Sequence, residues 1–379
     1  MAISQGNDSP TVILLGASVR AAADSAARAG WTTWCADLFA DRDLRLRADV
    51  RAISSERYPH ALLDQLELAP PGPVVYTGAL ENYPNLIAKI HRSLWGNSAD
   101  VLRAVRDPWQ WTAALATAGL PYPRIEREPQ SMGRWLLKPL RSGAGIGIVS
   151  YHQQVIDPRT HFLQERIEGT PISALCIGTG SSAILVGVTE QLIGTPWLNA
   201  AGFYYAGNLG PIPLSPSDRN RWQTLANLLA NRFRLRGLFG IDAILHDGIP
   251  WPIEINPRYT AAVEIHERAS HLALLDWHRQ AFDDAAMPTW QPAEPSVCHG
   301  KAVLYARETF SFPHDGPWME SLRKGVNVND VAFADIPDAG AQILAGQPVL
   351  TLFASAATPS ECSANLEEIA SALARRLWG

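Results

Sequence analysis

Short apolar runs alternate with polar or alanine-rich stretches at the start of the chain. Residues 11–16 are apolar and β-branched, and an alanine-rich stretch follows them up to Gly30. This pattern predicts a strand, a turn and a helix that Gly30 ends. Apolar runs at residues 31–37 and 73–77 predict two more strands. Strands that alternate with helices predict a parallel sheet, so this part of the chain has an α/β pattern.

The turn after the first strand permits two interpretations. The sequence from Gly16 to Arg20 has the form GxSxR instead of beginning GxGxxG, so it is a weak dinucleotide-binding signal. In one interpretation the helix N-terminus and Arg20 together bind an anion. In the other, this is an ordinary strand-to-helix turn with a solvated Arg20.

Changes in composition divide the chain into three predicted domains. Asn97 or Ser98 is a candidate helix cap, which places the first boundary near residue 98. A proline-containing stretch places the second boundary near residue 286. The predicted units are an α/β domain at 1–98, a central domain at 99–286, and a small β-rich α+β domain at 287–379 that ends in a helix.

Composition and charge exclude several classes of protein. The chain has 379 residues, of which 47% are hydrophobic and only 18% are charged, which argues against disorder. A net charge of −5 gives no support to a nucleic-acid partner. No run reaches the roughly 18 apolar residues that a membrane span needs, and the first residues do not resemble a secretion signal. The four scattered cysteines fit reduced thiols. We therefore predict a cytoplasmic protein that has no membrane segment.

A strand that ends in a lysine and continues into a glycine-rich loop is the first candidate for chemistry. The strand ends at Lys138, and Gly143, Gly145 and Gly147 follow it. Glycine permits a close backbone approach, so that amide N–H groups can reach phosphate oxygens, and Lys138 adds a positive charge. An ordinary hairpin turn is the alternative, because a P-loop would instead run into a helix through GK[ST].

A second segment has the character of a linker. An apolar strand leads into Gln164, Glu165 and Ile167, and Gly169 breaks it. Such a linker can offer backbone N–H and C=O groups to an adenine edge. A strand end with solvated polar residues explains the segment equally well.

The third segment carries the strongest signal. Two strands are joined around Asp247 and Gly248, which is a hairpin signal. If the loop takes residues 247–249, Asp242 lies opposite Glu254, and Asn256 shares their face of the sheet. Two carboxylates held that close are costly without a cation, and hard oxygen ligands suit Mg²⁺. A surface hairpin with solvated acids is the alternative. Two prolines mark the second strand as an edge strand.

In this order, these segments resemble the ATP-grasp superfamily over about residues 100–285. The ordered set consists of the lysine strand with its glycine-rich loop, the QExI segment, and Asp242 followed by Glu-x-Asn-Pro-Arg at 254–258. The chain is most similar to the carboxylate–amine ligase branch, which includes enzymes of small-cofactor biosynthesis. The resemblance implies a Rossmann-like pre-ATP-grasp domain at 1–98 and a two-lobed ATP-grasp domain at 99–286.

The resemblance also implies the roles of individual residues. ATP would lie between the lobes, with its phosphates bound by Lys138 and covered by the loop at 143–147. Asp242, Glu254 and Asn256 would hold one or two Mg²⁺ ions, with Mn²⁺ as an alternative. Arg258 and Lys138 would be the catalytic residues. The implied nucleotide-binding residues are Lys138, Gly143, Gly145, Gly147, Gln164, Glu165, Ile167 and Glu168.

The sequence departs from the superfamily pattern at two positions. Many relatives have an Asp-Lys pair whose lysine reaches phosphate, whereas this chain has Arg106-Asp107-Pro108. Either Arg106 replaces that lysine or the contact is absent. Many relatives also have a ribose-binding Glu where this chain has Pro171, and Glu168 and Ser173 are the candidates to compensate.

The implied reaction is ATP-dependent amide formation from a small carboxylate and an amine through an acyl-phosphate. The resemblance suggests biosynthesis of a one-carbon carrier and leaves the oligomeric state open. An ATP-grasp phosphotransferase and a non-catalytic nucleotide-binding regulator are the alternatives. A nicotinamide enzyme fits less well, because it leaves the acidic residues unexplained.

Overall fold

A computed structural model describes residues 10–128, 133–283, 287, 289, 296–324 and 331–379. The first half contains β1 (Thr11–Gly16), α1 (Arg20–Arg28), β2 (Thr32–Asp37), α2 (Arg42–Arg45), β3 (Asp49–Ala52), α3 (Ala61–Leu66), β4 (Val74–Tyr76), a 3₁₀ turn (Leu80–Asn82), α4 (Pro84–Ile87), α5 (Ala99–Val105), α6 (Pro108–Thr117), β5 (Ile125–Glu126), β6 (Trp135–Pro139), β7 (Val149–Ser150), β8 (His161–Glu165), β9 (Thr170–Thr179) and β10 (Ala183–Ile193). The second half contains a 3₁₀ turn (Pro196–Leu198), β11 (Tyr205–Gly210), α7 (Pro216–Phe233), β12 (Arg236–His246), β13 (Ile249–Asn256), α8 (Val263–Ser270), α9 (Leu274–Gln280), β14 (Cys298–Tyr305), β15 (Phe310–Ser311), α10 (Trp318–Arg323), β16 (Phe333–Ala334), β17 (Gln342–Ile343), β18 (Pro348–Ala356) and α11 (Pro359–Trp378). Within the described ranges, no helix has the length and apolar character needed to cross a membrane.

The N-terminal strands form the parallel sheet that their pattern predicts. The strand order is β3-β2-β1-β4, and β1 pairs in parallel with both β2 and β4. Strand β1 is buried along almost its whole length, which explains its continuous apolar run. The α/β prediction for this part of the chain is confirmed.

Both interpretations of Arg20 are wrong. Its side chain is only 2% exposed and lies in a buried network of charges. The guanidinium forms ion pairs with Asp24 at 3.2 Å, with Asp335 at 3.0 Å and with Glu264. Lys301 Nζ donates a 2.8 Å hydrogen bond to the same Glu264. Arg20 is therefore neutralised inside the protein, where it links α1 to α8 and to the C-terminal region.

An eight-stranded sheet forms the centre of the molecule. Its order is β13-β12-β9-β10-β11-β14-β18-β16, which places the proline-containing strand β13 at an edge, as its prolines predict. Strands β14, β16 and β18 come from the predicted C-terminal domain and continue the same sheet. The predicted boundary near residue 286 lies outside the described residues, and Ser98 Oγ caps α5 at the other boundary. The division into domains stays a prediction.

The β12–β13 hairpin reaches the predicted pairing by a different path. Its turn takes only Asp247 and Gly248, because His246 pairs with Ile249, so the predicted three-residue loop is wrong. A bulge at Ile253 adds the missing residue to β13, and Asp242 therefore still lies opposite Glu254. The bulge therefore restores the strand register in which Asp242 pairs with Glu254.

A smaller sheet has the order β5-β8-β6-β7, and residues of both sheets line one cavity. Strand β6 contributes Lys138 and pairs antiparallel with β8, which leads into the linker at 166–169. The helix that precedes this sheet, α6, begins as predicted, because Asp107 caps it and Pro108 occupies its first position. The two sheets and their connecting segments enclose the cleft that is described below.

We predict that Arg20→Ala strongly destabilises the protein, because it leaves several buried carboxylates without their cation. The free energy of unfolding in urea should fall by about 3–5 kcal/mol. Arg57→Ala is the matched control, because the Arg57–Asp64 pair is exposed and should contribute at most about 1 kcal/mol. Equal losses in the two variants would contradict a structural role for the buried network.

Candidate active site

A cavity of about 470 Å³ lies between the two sheets, and most of the predicted site residues line it. The predicted residues that line it are Lys138, Gly145, Gln164, Glu165, Ile167, Glu168, Asp242, Glu254, Asn256 and Arg258. Gly143 and Gly147 lie in the glycine-rich loop but do not line it. Most of the residues that the sequence predicted for the site therefore line one cavity, although they lie up to 120 residues apart along the chain.

Neutral polar groups hold the ammonium group of Lys138 in place. Its side chain is buried, and Nζ donates to Gln164 Oε1 at 3.1 Å and to the Ile253 carbonyl oxygen at 3.3 Å. Burial lowers the pKa of Lys138, and the neighbouring Glu254 carboxylate opposes this shift. The Gln164 side chain also donates to the Ile253 carbonyl at 3.2 Å, so it orients Lys138 instead of pointing into open space.

Asp242 is surrounded by neutral donors. Ser173 Oγ donates to Oδ1 at 2.8 Å, Gln191 Nε2 donates to the same oxygen at 3.2 Å, and Asn256 Nδ2 donates to Oδ2 at 2.8 Å. Burial and the nearby Glu254 raise the pKa of Asp242 to about 6. The ionised carboxylate is therefore under-compensated, which is the condition that a bound cation relieves.

Glu254 has a different electrostatic environment from Asp242. Burial tends to raise the pKa of Glu254, but Arg106 and Lys138 outweigh burial, and the pKa is lowered. Arg106 forms a hydrogen-bonded ion pair with Glu254 Oε1. Glu254 is therefore ionised, whereas Asp242 titrates near pH 6.

These side chains fit a divalent cation. Asp242 and Glu254 are directly paired across the hairpin, and Asn256 follows two residues later on the same face. Carboxylate and amide oxygens are the ligands that Mg²⁺ prefers. In the described part of the chain, no group of three or more His, Cys, Asp or Glu side chains is arranged to hold a metal ion. The candidate site therefore depends on two carboxylates, one amide, and oxygens that a ligand would add.

Arg106 lies inside the site, where the sequence left its contact open. Besides Glu254, its guanidinium donates to Asn82 Oδ1 at 3.1 Å and to the Ser142 carbonyl at 3.0 Å. It thus connects an acidic residue of β13, the N-terminal 3₁₀ turn and the glycine-rich loop. Whether it replaces the phosphate-binding lysine stays a prediction.

Arg258 is fixed by a residue that the sequence did not reveal. Its Nη2 lies 2.8 Å from Glu81 Oε1, and the guanidinium also donates to Asn256 Oδ1 at 3.2 Å and to the Tyr259 carbonyl at 3.1 Å. Glu81 is 1% exposed, just after the C-terminal end of the parallel strand β4. The sequence signal that could have found Glu81 is an acidic residue in the loop after the C-terminal end of a parallel strand, because the binding sites of α/β sheets lie at these ends.

The glycine-rich loop closes one side of the cavity. At Gly145, φ is +75°, and a Cβ would come within 1.8 Å of the Phe203 carbonyl oxygen. Tyr205 N donates to the Ala144 carbonyl at 3.0 Å, and Asn82 Nδ2 donates to the Ser142 carbonyl at 3.2 Å. Gly145 is therefore required both by its backbone conformation and by the close approach of the neighbouring chain.

The linker places its charged side chains at the rim. Glu165 pairs with Arg124 at 2.9 Å, and Glu168 is 56% exposed and pairs with Arg134 at 2.7 Å. Ile167 lines the cavity beside Pro171. Ser173 contacts Asp242, so of the two predicted substitutes for the ribose-binding residue only Glu168 lies at the linker. The nucleotide contacts of the linker stay predictions.

Comparison with a family model identifies the central part of the chain. Residues 105–262 match the ATP-grasp domain. These residues form an ATP-grasp domain. The matched range begins just before Arg106 and ends just after Arg258, so it includes every predicted site residue. The resemblance that the motifs indicated is confirmed.

One curated relative and two solved structures extend the comparison beyond the ATP-grasp domain. The chain is 25% identical over 243 residues to "Uncharacterized protein MJ0776" of Methanocaldococcus jannaschii, which is 62% of this chain and 54% of that protein. The chain therefore matches only about half the length of this relative. An L-amino acid ligase from Bacillus licheniformis is similar in fold, with a TM-score of 0.67 at 13% identity, over 96% of this chain and 97% of that one.

The second solved structure is a biotin carboxylase domain dimer of the Hydrogenobacter thermophilus 2-oxoglutarate carboxylase, in complex with MgADP, ADP and bicarbonate. Its TM-score is 0.68 at 13% identity, over 92% of this chain and 86% of that one. At this identity the likeness concerns the fold. It confirms the prediction of a multi-domain α/β and α+β architecture around the ATP-grasp domain.

We predict that cation binding to the ATP-grasp domain depends on pH through Asp242. A folded-state pKa of about 6 lies above the usual value of about 3.9, so the ligand-free protein loses stability as the pH rises through this interval. A cation needs the ionised form, so the extra thermal stabilisation by MgADP over ADP alone should be full at pH 7.5. It should decline below pH 6, with about tenfold weaker Mg²⁺ binding per pH unit.

Thermal unfolding measured between pH 5 and 8, with and without Mg²⁺, checks this prediction. The comparison at each pH cancels the titration of other buried acids such as Asp37, whose pKa is also raised to about 6 by burial. Asp242→Asn should remove the Mg²⁺ effect at every pH. A Mg²⁺ effect that does not change between pH 5 and 8 would disprove this assignment.

We also predict that Gly145→Ala weakens nucleotide binding at least tenfold. The added methyl group cannot fit against the Phe203 carbonyl, and alanine disfavours the positive φ, so the loop must move away from the cavity. Gly143→Ala is the matched control, because a Cβ there has no neighbour within 4 Å. Calorimetric titration with ADP checks both variants, and equal affinities would contradict the closed-loop geometry.

Proposed function

We propose that the protein is an ATP-dependent ligase that joins a small carboxylate to an amine through an acyl-phosphate. The observation that carries the proposal is the convergence of Lys138, Asp242, Glu254, Asn256 and Arg258 on one cavity of an ATP-grasp domain. Cations, metal-binding oxygens and a glycine-rich loop are what phosphoryl transfer needs, because its catalysis is mostly positioning and charge neutralisation.

The proposed reaction has two steps. In the first, an oxygen of the substrate carboxylate attacks the γ-phosphorus of ATP, the bond to the β,γ-bridging oxygen breaks, and acyl-phosphate and ADP form. In the second, the amine attacks the acyl carbon, the carbon–oxygen bond to the phosphoryl group breaks, and phosphate leaves while the nitrogen loses a proton. The product is an amide, and no residue of the chain is modified.

The residues of the chain support both steps by position and charge. Lys138 lies deep in the cavity beside Glu254 and would bind phosphate oxygens with its ammonium group. Arg258, at the other side of the acidic pair, would donate hydrogen bonds to the transferred phosphoryl group. Asp242, Glu254 and Asn256 would hold Mg²⁺, which when bound neutralises the charge of the β- and γ-phosphates.

The solved structures of similar fold support this choice of reaction class. One neighbour is named an L-amino acid ligase, and another was obtained with MgADP and bicarbonate. The first name refers to an amino acid, which carries a carboxylate, and the second structure contains a nucleotide together with bicarbonate. The resemblance of the sequence further favours a role in small-cofactor biosynthesis, and the one-carbon carriers are the class of cofactor that we propose.

We predict that release of ADP requires both a carboxylate and an amine. A matrix of small acids and amines is incubated with ATP and Mg²⁺, and ADP and free phosphate are measured. The ligase should release one phosphate per ADP and per amide formed. A stable phosphorylated product would instead identify a phosphotransferase, and tight ATP binding without turnover on any pair would support a regulator.

Lys138→Ala should reduce kcat of the active pair by about 10²–10³, because it removes a charged donor from the developing phosphate charge. Lys89→Ala, at an exposed position of the N-terminal region, is the control and should retain wild-type rates. Thermal unfolding shows whether each variant is folded. Full activity in a folded Lys138→Ala protein would overturn the role of Lys138.

A further inference from the structure

The 3₁₀ turn at Leu80–Asn82 brings residues of the N-terminal sheet to the ATP-grasp site. Ala79 begins this turn with a φ of 75°, a left-handed conformation that costs energy in a residue other than glycine. The backbone then passes Arg258 so closely that a Cβ on Gly78 would lie 3.6 Å from the guanidinium carbon. This geometry places Glu81 in contact with Arg258 and Asn82 in contact with Arg106.

Glu81 is an unusual partner, because it is buried with little other compensation. It is 1% exposed, and its Oε1 lies 2.8 Å from Arg258 Nη2. Among the residues that the structure describes, neither carboxylate oxygen has a hydrogen bond of ordinary geometry, and the Tyr58 hydroxyl is likewise buried without one. An ionised carboxylate in such a place depends on its cation, so Arg258 is held to Glu81 and its charge is largely offset.

The floor of the cavity beyond the acidic pair carries no cation in the described residues. From β12 towards β11, the side chains that line it are neutral apart from Asp242 itself: Ile244, Pro171, Ser173, Gln191, Ile193, Asn208 and Tyr205. Some of the polar side chains are linked by hydrogen bonds, since the Tyr205 hydroxyl donates to Asn208 and Asn208 Nδ2 donates to Thr189 Oγ1 at 2.8 Å. Lys138, Arg166 and Arg258 are the cations among the described lining residues.

These three cations leave little positive charge for a second substrate. Lys138 lies beside Glu254, and Arg166 is an exposed linker residue 3.5 Å from Glu168. Arg258 has Glu81 as its partner. A site for a phosphorylated substrate normally supplies uncompensated cations or bidentate arginines to the phosphate dianion.

We propose that Glu81 is a positioning residue that orients Arg258 and offsets its charge, and that this end of the cavity therefore takes a second substrate without a phosphate group. The assignment of a second substrate rests on the proposed ligase function. Its electrostatic part concerns only anion binding at Arg258. In this proposal Arg258 donates to one transferring phosphoryl group, while Glu81 limits how strongly the guanidinium retains a phosphate dianion afterwards.

The test is the affinity for inorganic phosphate in the presence of saturating MgADP, which occupies the nucleotide end of the cavity. Calorimetric titration compares the wild type, Glu81→Gln, and Glu67→Gln at an exposed position as the control. Removing one negative charge next to Arg258 should strengthen phosphate binding about tenfold in Glu81→Gln and leave the control unchanged. An unchanged phosphate affinity in folded Glu81→Gln would overturn the proposal.

Kinetics separate positioning from general stability. With an active substrate pair, Glu81→Gln should lower kcat at least tenfold while KM for ATP stays within about twofold, because Arg258 loses its fixed orientation. Glu81→Asp keeps the charge, so its phosphate affinity should remain close to the wild type while kcat falls. If Glu81→Gln does not fold, Glu81→Asp decides the question, and an unchanged kcat in it would overturn the positioning role.

The substrate class is tested with pairs of compounds that differ only in a phosphate group, such as glucosamine and glucosamine 6-phosphate, in the ADP-release assay. Stimulation confined to unphosphorylated compounds is expected, and stimulation by phosphorylated members alone would overturn the assignment. If no pair releases ADP, the ligase function fails. The phosphate titration still decides the role of Glu81, so the two failures remain distinguishable.

Discussion

The opposition of Asp242 and Glu254 across one hairpin is the constraint around which the site is organised. Two acids on paired strands repel each other, and cations on both sides of the pair reduce this repulsion. Arg106 and Lys138 lie near Glu254, and Arg258 acts on Asp242 from the other side. The compensation is uneven, since the pKa of Glu254 is lowered while that of Asp242 is raised to about 6. The remaining imbalance is what makes a divalent cation the natural complement of this surface.

The N-terminal sheet contributes residues to this electrostatic arrangement. Glu81 and Asn82 come from the turn after β4 and reach Arg258, Arg106 and the glycine-rich loop. On another face, the buried network around Arg20 joins the same sheet to α8 and to the C-terminal region. Charge pairs and hydrogen bonds therefore connect the ATP-grasp domain to both flanking regions.

The sequence could predict the features that depend on local pattern. Alternating strands and helices, the glycine-rich turn after Lys138 and the ordered acidic motif all depend on residues close in the chain. They led to the correct fold and to residues that mostly line one cavity. The pairing of Asp242 with Glu254 was right, although the two-residue turn and the bulge at Ile253 were not foreseen, because a bulge leaves no clear sequence signal. Glu81 and the burial of Arg20 depend on contacts over more than 170 residues, which no local pattern encodes.

The central claim is that the two opposed acids and Asn256 hold a divalent cation together with a nucleotide. The most direct measurement is titration with Mn²⁺ in the presence of saturating ADP, followed by electron paramagnetic resonance, in the wild type and in Glu254→Gln. The account predicts at least one bound Mn²⁺ per chain in the wild type and at least tenfold weaker binding in the variant. Equal Mn²⁺ binding in the two folded proteins would contradict it.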